Sequence, residues 1–331
     1  MSNFWNTIKK PVLALAPMAN VTDSAFRFII AKYGKPDVMW TEFVSADGLA
    51  LAPEDPPERP GSSGRAGGRK KLLKDLEYSE AEHPIVAQFF TSNTEHMRSA
   101  AELARKLGFN GVDINMGCPD RTIEKQGAGA QLMKDAKRAR ELIRAAKEGA
   151  GDLPVSLKTR TGYNKPELDT WLPEVLKENP AVVTIHARTR KEMSKVPARW
   201  EFVKRAVEIR DKAGAGTLIF GNGDVKDLKE AGARVKETGC DGVMLGRAIF
   251  GNPWLFKEYE PTKEEKLKVL VEHTKLFEKL LGGVKSFAIM KKHFKAYVNG
   301  FEGAVDLRAR LMETDSAGEV ETIIAKFSAE E

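Results

Sequence analysis

The chain has 331 residues, 42% of them hydrophobic and 30% charged, which is an ordinary composition for a globular protein. No apolar run reaches the roughly 20 residues of a membrane span, and the short run near the N-terminus predicts a first strand rather than a signal peptide. Two cysteines cannot build a disulfide framework and no Cys/His group has zinc spacing, so we expect a cytoplasmic protein without a metal. The net charge of +6 favours a polyanionic partner.

Eight apolar, strand-like segments alternate with amphipathic helical segments along most of the chain. The predicted strands span residues 11–18, 38–43, 84–90, 111–117, 155–162, 181–188, 217–224 and 242–248. Strands joined by helical crossovers pair in parallel, and eight such units within about 250 residues fit a TIM (β/α)8 barrel. A doubly wound sheet is the alternative, but it normally carries a G-x-G-x-x-G turn after its first strand, and the segment APMANVTD has none.

Two regions depart from the alternating pattern. Residues 53–71 are rich in Pro, Gly and Ser, and they predict a long loop on the face where the strands end. After about residue 259 the strand signals stop, and the next three segments predict successive helices. We therefore predict a barrel domain over residues 1–258, a small helical domain over residues 259–331, and a monomer.

Polar side chains recur at the predicted carboxyl ends of the strands, where TIM barrels carry their active sites. The candidates are Pro17, Met18, Ala19, Gln88, Asn115, Cys118, Lys158, Arg160, His186, Arg188, Asn222, Gly223, Asp224, Gly246 and Arg247. Each would be ordinary alone, but their recurrence in one unit after another predicts that they meet at one rim.

The segments GNGD and LGR, which close the seventh and eighth predicted strands, favour a phosphate site. Small residues let backbone N–H groups approach an anion, and Arg binds phosphate with a two-pronged fork. With Gln88, Lys158 and His186 on the same rim, the set fits flavin mononucleotide (FMN). The Gln88 amide can pair with the ring edge, and Lys158 can stabilise the charge of reduced flavin. A Schiff-base Lys158 and a structural His186 are the alternatives.

The two cysteines differ in their placement. Cys240 precedes the eighth predicted strand, and we expect it to be a buried structural thiol, as free cysteines often are. Cys118 closes the fourth strand in a Gly-Cys-Pro turn, which favours a chemical role as nucleophile or general acid. Beside a flavin, the general acid is the simpler role, because hydride goes to one carbon of a double bond and the thiol protonates the other.

Taken in chain order, these motifs resemble the tRNA-dihydrouridine synthase family. The resemblance rests on LAPMANVTDSAFR, DINMGCP, GAGAQLM, SLKTRTGY, IHARTR, GNGDV and DGVMLGRAIFGNPWLF, within residues 11–256. A weaker match continues through MKKHFKAYVNGF, which is similar to the family's helical tRNA-binding domain. The resemblance implies an FMN-containing barrel, NADPH as the reductant, and reduction of the C5–C6 bond of uridine in tRNA.

By the same resemblance, Cys118 would donate a proton to C5 while hydride goes to C6, and Asn115 and Arg160 would contact the target uracil. FMN would be held by Pro17, Met18, Ala19, Gln88, Lys158, His186, Asn222, Gly223, Asp224, Gly246 and Arg247. Residues 188–200 depart from the family pattern, and the segment 53–71 is longer and more basic than is usual in the family.

A basic stretch without acidic residues covers residues 279–301, with Phe294 and Tyr297 interleaved. Its lysines are Lys279, Lys285, Lys291, Lys292 and Lys295. We expect the last three to contact tRNA phosphates, with Lys285 on the same helical face; a solvated helix face is the alternative. The basic residues of segment 59–71 are equally compatible with an RNA contact and with a solvated loop.

Three other functions fit parts of this pattern. An FMN barrel could reduce a free pyrimidine or act on dihydroorotate, although a basic helical domain would then be superfluous. A flavin-free aldolase would use Lys158, and a yellow preparation that NADPH bleaches would exclude it. A non-catalytic RNA-binding protein would not need the complete set of polar rim residues.

Overall fold

The computed structural model describes residues 3–52 and 68–330. Its centre is a sheet of eight parallel strands: β1 Val12–Leu15, β2 Met39–Ser45, β3 Ile85–Phe90, β4 Gly111–Met116, β5 Val155–Arg160, β6 Val182–His186, β7 Leu218–Asn222 and β8 Gly242–Leu245. The spatial order is β1-β8-β7-β6-β5-β4-β3-β2, and a parallel bridge between Ala14 and Val38 joins the two ends of the sheet. The predicted TIM barrel is confirmed, and every predicted strand is present with ends that differ by up to three residues.

Helices connect the strands and then continue beyond the barrel. They are α1 Ser24–Gly34, α2 Ala46–Leu51, α3 Gly68–Asp75, α4 Thr94–Lys106, α5 Arg121–Lys125, α6 Ala136–Ala150, α7 Leu168–Leu176, α8 Glu201–Lys212, α9 Leu228–Thr238, α10 Lys263–Leu281, α11 Lys291–Tyr297, α12 Ala304–Met312 and α13 Ala317–Ala329. Many begin at a polar cap, as in α4, where the Asn93 side chain accepts hydrogen bonds from the backbone N–H groups of Glu95 and His96.

Apolar side chains fill one part of the barrel interior and leave the other part polar. Trp5, Trp40, Phe220 and Met244 belong to a buried cluster inside the strands. A larger apolar cluster lies between the strands and the surrounding helices. Because successive strand residues point to opposite faces, the polar residues that end each strand are left at the carboxyl rim, above this apolar filling.

The helices α10 to α13 form a second core that is continuous with the barrel's outer surface. Leu270, Phe277 and Phe294 are buried in a cluster that also contains Ala25 of α1 and Trp254. The sequence predicts helices after residue 259, but α13 is not among them. The boundary placed after residue 258 stays a prediction, because the second core includes residues from both sides of it.

The predicted loop over residues 53–71 is partly wrong. Residues 53–67 lie outside the described part of the chain. Residues 68–71 begin α3, because the run RKKLLKD consists mainly of good helix formers and contains no Gly or Pro. Leu72 packs against the main apolar cluster, which also contains the buried Leu76.

Candidate active site at the carboxyl ends of the strands

A cavity of about 500 Å³ opens at the carboxyl ends of the strands. The structure brings together here every residue that the sequence placed at the barrel rim. They are Pro17, Met18, Ala19, Gln88, Asn115, Cys118, Lys158, Arg160, His186, Arg188, Asn222, Gly223, Asp224, Gly246 and Arg247. The three lysines of α11 do not line this cavity.

The Cys118 turn is held from both sides by hydrogen bonds. The side-chain Oδ1 of Asn115 accepts from the backbone N–H of Cys118 at 2.9 Å and of Gly117 at 3.2 Å. On the other side, the carbonyl of Cys118 accepts from the backbone N–H of Ala130 at 2.9 Å. This close approach requires Gly129, which has φ of +61° and where a Cβ would lie 2.8 Å from the Cys118 carbonyl oxygen. Burial raises the pKa of the Cys118 thiol, so that it carries its proton at neutral pH.

Arg160, at the end of β5, supports the same turn. Its Nε donates to the carbonyl of Gly117 at 2.8 Å, and its Nη1 donates to the carbonyls of Thr189 at 3.1 Å and Met193 at 2.9 Å. These bonds link the Cys118 turn to the segment after β6, while the N–H groups on Nη2 stay available to a ligand. Burial lowers the pKa of Arg160 to about 10, and the positive charges of Arg188 and Arg190 act in the same direction.

Lys158 stands two residues earlier on β5, opposite Asn115 in the register of β4 and β5. Within residues 3–52 and 68–330 we find no hydrogen-bond or ion-pair partner for its ammonium group. Burial lowers the pKa of Lys158 to about 8, and the positive charge of Arg160 acts in the same direction. The group is therefore mostly charged at pH 7. It has no directly paired carboxylate among the described residues, although the nearby charge of Asp113 favours its charged form.

A second cationic group lies beneath the ends of β6, β7 and β8. Arg188 and Arg247 both pair with the carboxylate of Asp224, the second at 2.5 Å. The Arg188 side chain is only 3% exposed and its Nη1 lies 3.1 Å from Nε2 of His186, whereas the Arg247 side chain is 67% exposed. Arg188 is thus fixed in the wall, and Arg247 has room to turn toward a ligand. The sequence placed Arg188 at the rim, but its contacts with Val196, His186 and Asp224 could not be predicted from it.

Two glycines lie at the ends of β7 and β8, beside these cations. Gly223 has φ of +131°, and a Cβ there would lie 2.8 Å from Cβ of Ala198. The carbonyl of Gly223 accepts from Nε1 of the buried Trp200 at 3.0 Å. At the end of β8, a Cβ on Gly246 would make ordinary contacts with Ala16 and Met18, at 3.6 Å. Gly223 is therefore required by its positive φ and by the close approach of Ala198, whereas packing does not require Gly246.

The cavity carries an excess of positive charge. His186 is neutral at pH 7 because burial lowers its pKa well below the ordinary value, and the charges of Lys158, Arg160, Arg188 and Arg247 lower it further. Asp224 offsets two of these cations by direct pairing. The remaining positive charge suits an anionic group such as a phosphate, which is the property that FMN would require of this site.

The segment after β6 forms one wall of the cavity, through Met193 and Ser194. Arg190 pairs with Glu124 of α5, and its Nε lies 2.8 Å from Oε1 of Glu124. No sequence signal pointed to Met193 and Ser194, because they lie in the stretch that departs from the pattern of the resembled family.

Cys240 lies away from the cavity. It is 3% exposed, and its Sγ donates to the carbonyl of Gly242 at 3.3 Å. The expectation of a buried structural thiol is confirmed. In the part of the chain that the structure describes, no group of three His, Cys, Asp or Glu side chains could hold a metal ion, and no helix is long and apolar enough to cross a membrane.

Comparison with known families and proteins decides the family. Residues 14–330 match the family model described as dihydrouridine synthase. The chain belongs to the dihydrouridine synthase family. The resemblance read from the sequence motifs is therefore confirmed, and the chain is an enzyme of this family.

Two curated relatives are similar to this family member along nearly their whole lengths. "Probable tRNA-dihydrouridine synthase" of Staphylococcus aureus (strain Mu50) is 39% identical over 99% of this chain and 96% of its own. "Probable tRNA-dihydrouridine synthase 2" of Bacillus subtilis (strain 168) is 37% identical over 98% of this chain and 96% of its own. Among solved structures, morphinone reductase in complex with tetrahydroNAD superposes with a TM-score of 0.50 at 14% identity, covering 80% of this chain and 92% of its own. That likeness shows the barrel fold.

In this dihydrouridine synthase, the three lysines predicted to meet RNA lie on α11, beside the cavity rather than in it. Lys295 is exposed, Nζ of Lys291 lies 3.6 Å from a carboxylate oxygen of Asp315, and Nζ of Lys292 donates to the carbonyl of Asn20 at 2.5 Å. Asn20 directly follows the cavity residues 17–19, so α11 adjoins the cavity's edge.

One expectation about the basic stretch is wrong. Lys285 precedes α11 and is buried, with its Nζ 2.6 Å from carboxylate oxygens of both Glu42 and Asp75, so it does not share an RNA-facing surface. The interleaved aromatic residues Phe294 and Tyr297 are fully buried in the core of the C-terminal helices. The pattern of lysines along the sequence could not show that these side chains are buried, because the acidic partners of Lys285 are distant in the sequence.

Proposed function

We propose that this enzyme reduces the C5–C6 double bond of uridines in tRNA to dihydrouridine, with FMN as cofactor, NADPH as reductant and Cys118 as proton donor. It would do so as a cytoplasmic monomer. The observation that carries the proposal is the meeting of Cys118 and Asn115 with the cations Lys158 and Arg247 in one cavity. The curated relatives carry the name tRNA-dihydrouridine synthase, which supports the choice of substrate.

The donor set of the cavity fits FMN. Its phosphate would bind beside Arg247, with Asp224 placing the two arginines rather than touching the anion, because a carboxylate repels a phosphate. The residues that would form the FMN site, Asp224 through the arginines that it places, are Pro17, Met18, Ala19, Gln88, Lys158, His186, Asn222, Gly223, Asp224, Gly246 and Arg247. When bound and reduced by NADPH, FMN supplies the hydride for C6 of the uracil.

Cys118 would complete the reduction by giving its proton to C5. Burial keeps the thiol protonated at neutral pH, which is the state a general acid requires. The bonds to Asn115 and Ala130 fix the backbone of the turn, so the thiol is held at one place in the cavity wall.

Asn115 and Arg160 would bind the uracil. Each is partly used by protein contacts, but Asn115 keeps one N–H on Nδ2 and Arg160 keeps the N–H groups on Nη2. These donors suit the two carbonyl oxygens of uracil. A uridine in folded tRNA must leave its stack to reach them.

The α11 lysines support a macromolecular substrate. Lys292 bonds to Asn20 at the edge of the cavity, so phosphates that flank an inserted nucleotide would pass α11. A free pyrimidine or dihydroorotate would not use this surface, and that alternative function is therefore disfavoured.

The proposed function is tested by incubating the purified protein with NADPH and tRNA that lacks dihydrouridine, then mapping dihydrouridine in the RNA. We expect a yellow protein that NADPH bleaches and that modifies tRNA but not free uridine or uracil. Turnover of the free pyrimidine with no modification of tRNA would favour the alternative function, and a colourless protein that takes up no FMN would overturn the flavin assignment.

A further inference from the structure

Asp113 is a buried carboxylate that the proposed function leaves unused. It lies on β4 two residues before Asn115, so both side chains point to the same face of the strand, toward the barrel interior. It is 1% exposed, and the strand registers place it opposite Gln88 of β3 and Ser156 of β5. A buried carboxylate is costly unless it is hydrogen-bonded, so its partners determine whether it can stay ionised.

A continuous chain of hydrogen bonds runs from Asp113 to the Cys118 turn. Ser156 Oγ donates to Oδ1 of Asp113 at 2.5 Å, and Nε2 of Gln88 donates to Oδ2 at 2.6 Å. Nδ2 of Asn115 then donates to Oε1 of Gln88 at 3.1 Å. Oδ1 of Asn115 accepts from the backbone N–H of Cys118 at 2.9 Å, which completes the chain.

Both ends of this chain have a fixed polarity. An ionised carboxylate can only accept hydrogen bonds, and a backbone N–H can only donate. The side-chain amides of Gln88 and Asn115 could each be turned by 180° if they stood alone. Between Asp113 and Cys118, only one orientation of the two amides satisfies every bond. In that orientation Gln88 and Asn115 each keep one N–H that is not used within the chain.

We propose that Asp113 is a positioning residue, which orients the Gln88 and Asn115 amides and through them holds the Cys118 turn in place for proton transfer. This inference rests on the proposed function. It assigns to Asp113 a role that needs its negative charge and not merely its shape. An asparagine at this position has the same shape but no charge, and it can donate as well as accept. The direction of the Gln88 amide is then no longer fixed from this end of the chain, and only the backbone N–H of Cys118 still fixes the direction of Asn115.

The charge of Asp113 also gives the step a pH dependence. Burial raises the pKa of Asp113 to about 6, against the opposing effects of the bonds from Ser156 and Gln88 and of the nearby charge of Lys158. Below about pH 6 the carboxyl group gains a proton and can donate, so the chain loses its charged, accept-only end and is held in direction only by the backbone N–H of Cys118. Lys158 stays charged throughout this acid range, since its pKa is about 8.

The test separates the two half-reactions of the FMN-loaded enzyme, flavin reduction by NADPH and flavin reoxidation by tRNA. In FMN-loaded Asp113→Asn we expect reoxidation by tRNA to slow about ten- to hundredfold more than flavin reduction by NADPH does, the effect of losing one hydrogen bond to a charged group. In the parent, the rate of flavin reoxidation by tRNA should fall below about pH 6, which gives the pH profile an acid limb. Asp113→Asn should not show this acid limb. Equal reoxidation rates and equal pH profiles in the two proteins would overturn the inference.

Ser156→Ala is the matched variant on the other oxygen of Asp113. It keeps the carboxylate and the direction of both amides, so reoxidation at pH 8 should stay within about threefold of the parent. Because the Ser156 bond lowers the pKa of Asp113, its removal should move the acid limb to higher pH. If Asp113→Asn does not fold, the pH profile of Ser156→Ala tests the inference instead. A reoxidation rate that falls at the same pH as in the parent would then overturn the inference. A parent that does not modify tRNA at all would instead refute the proposed function.

Discussion

Nζ of Lys285 lies 2.6 Å from Oε2 of Glu42, and both side chains are buried where the C-terminal helices meet the barrel. The other carboxylate oxygen of Glu42 accepts from the backbone N–H of Asn20, next to cavity residues 17–19. The pair therefore connects the helical region to the edge of the cavity. Its role is structural, in contrast to the place on an RNA-facing helical surface that the sequence suggested for Lys285.

Lys285→Met should strongly destabilise the protein, because it leaves Glu42 and Asp75 buried without their cation. Removing one partner of a buried ion pair costs about 3–5 kcal/mol of the free energy of unfolding. Chemical denaturation measures this loss. Lys295→Met is the control, since this exposed side chain should change the free energy of unfolding by less than about 0.5 kcal/mol. Equal stabilities of the two variants would show that the buried pair contributes little.

Cys118→Ala should separate the two half-reactions. Flavin reduction by NADPH should be preserved, and uridine reduction in tRNA should slow by about 100- to 10,000-fold, the usual effect of losing a general acid. Stopped-flow flavin absorbance and dihydrouridine mapping measure the two steps. Cys240→Ala is the control, because its thiol is buried away from the cavity. If both variants modify tRNA at the parental rate, Cys118 is a structural thiol.

Arg247→Ala should weaken FMN binding by about ten- to hundredfold, since it removes a charge-assisted hydrogen bond to the phosphate. Fluorescence titration of the apoprotein with FMN gives the affinity. Riboflavin, which lacks the phosphate, is the matched ligand, and the substitution should change its affinity little. An equal loss for both ligands would place Arg247 at the ring rather than at the phosphate.

The sequence was most informative about side chains whose position follows from the two-residue period of a strand and from the place where that strand ends. Residues as distant as Met18 and Arg247 could be placed at one rim, because parallel strands of a closed barrel deliver their carboxyl ends to the same face. It was least informative about pairings between distant segments. Neither the Lys285–Glu42 pair nor the Arg188–Asp224 pair has a local signal, since each depends on how separate elements pack. The role of Asp113 was hidden for a different reason, because an acidic residue in an apolar strand becomes interpretable only when its hydrogen-bond partners are known.

The lysines of α11 should contribute to tRNA affinity. Replacing Lys291, Lys292 and Lys295 together by Ala should reduce the salt dependence of tRNA binding by about 0.7–0.9 in slope for each phosphate that is no longer neutralised. Binding titrations at several salt concentrations measure the slope. FMN content and flavin reduction by NADPH should not change, because these side chains do not line the cavity. Parental slope and affinity in the triple variant would contradict an RNA-binding role for α11.

Two buried histidines, His273 of α10 and His293 of α11, should make the stability of this protein sensitive to acid. Their rings are 4.7 Å apart, His273 stacks on Phe26 of α1 at 5.0 Å, and the ring nitrogens of both lack hydrogen-bond partners among the described residues. Burial lowers the pKa of His273 to about 3, while in the unfolded chain a histidine titrates near 6.5. The unfolded state therefore binds the proton first, and the free energy of unfolding falls as the pH drops from about 6.5 toward 3.

His273→Phe should remove this contribution while keeping the stacked ring. Between pH 7 and pH 5, the parent should lose about 2 kcal/mol more of its free energy of unfolding than the variant does, by proton linkage at one site. Urea denaturation at both pH values measures the difference. The raised pKa values of Asp23 and Asp113, each about 6, act in the opposite direction but are common to both proteins, so they cancel in the comparison.

Phe277→Leu, in the apolar cluster of the C-terminal helices, is the control and should cost the same free energy of unfolding at both pH values, because it removes no titrating group. If His273→Phe shows the parental pH dependence, His273 is not held neutral by burial.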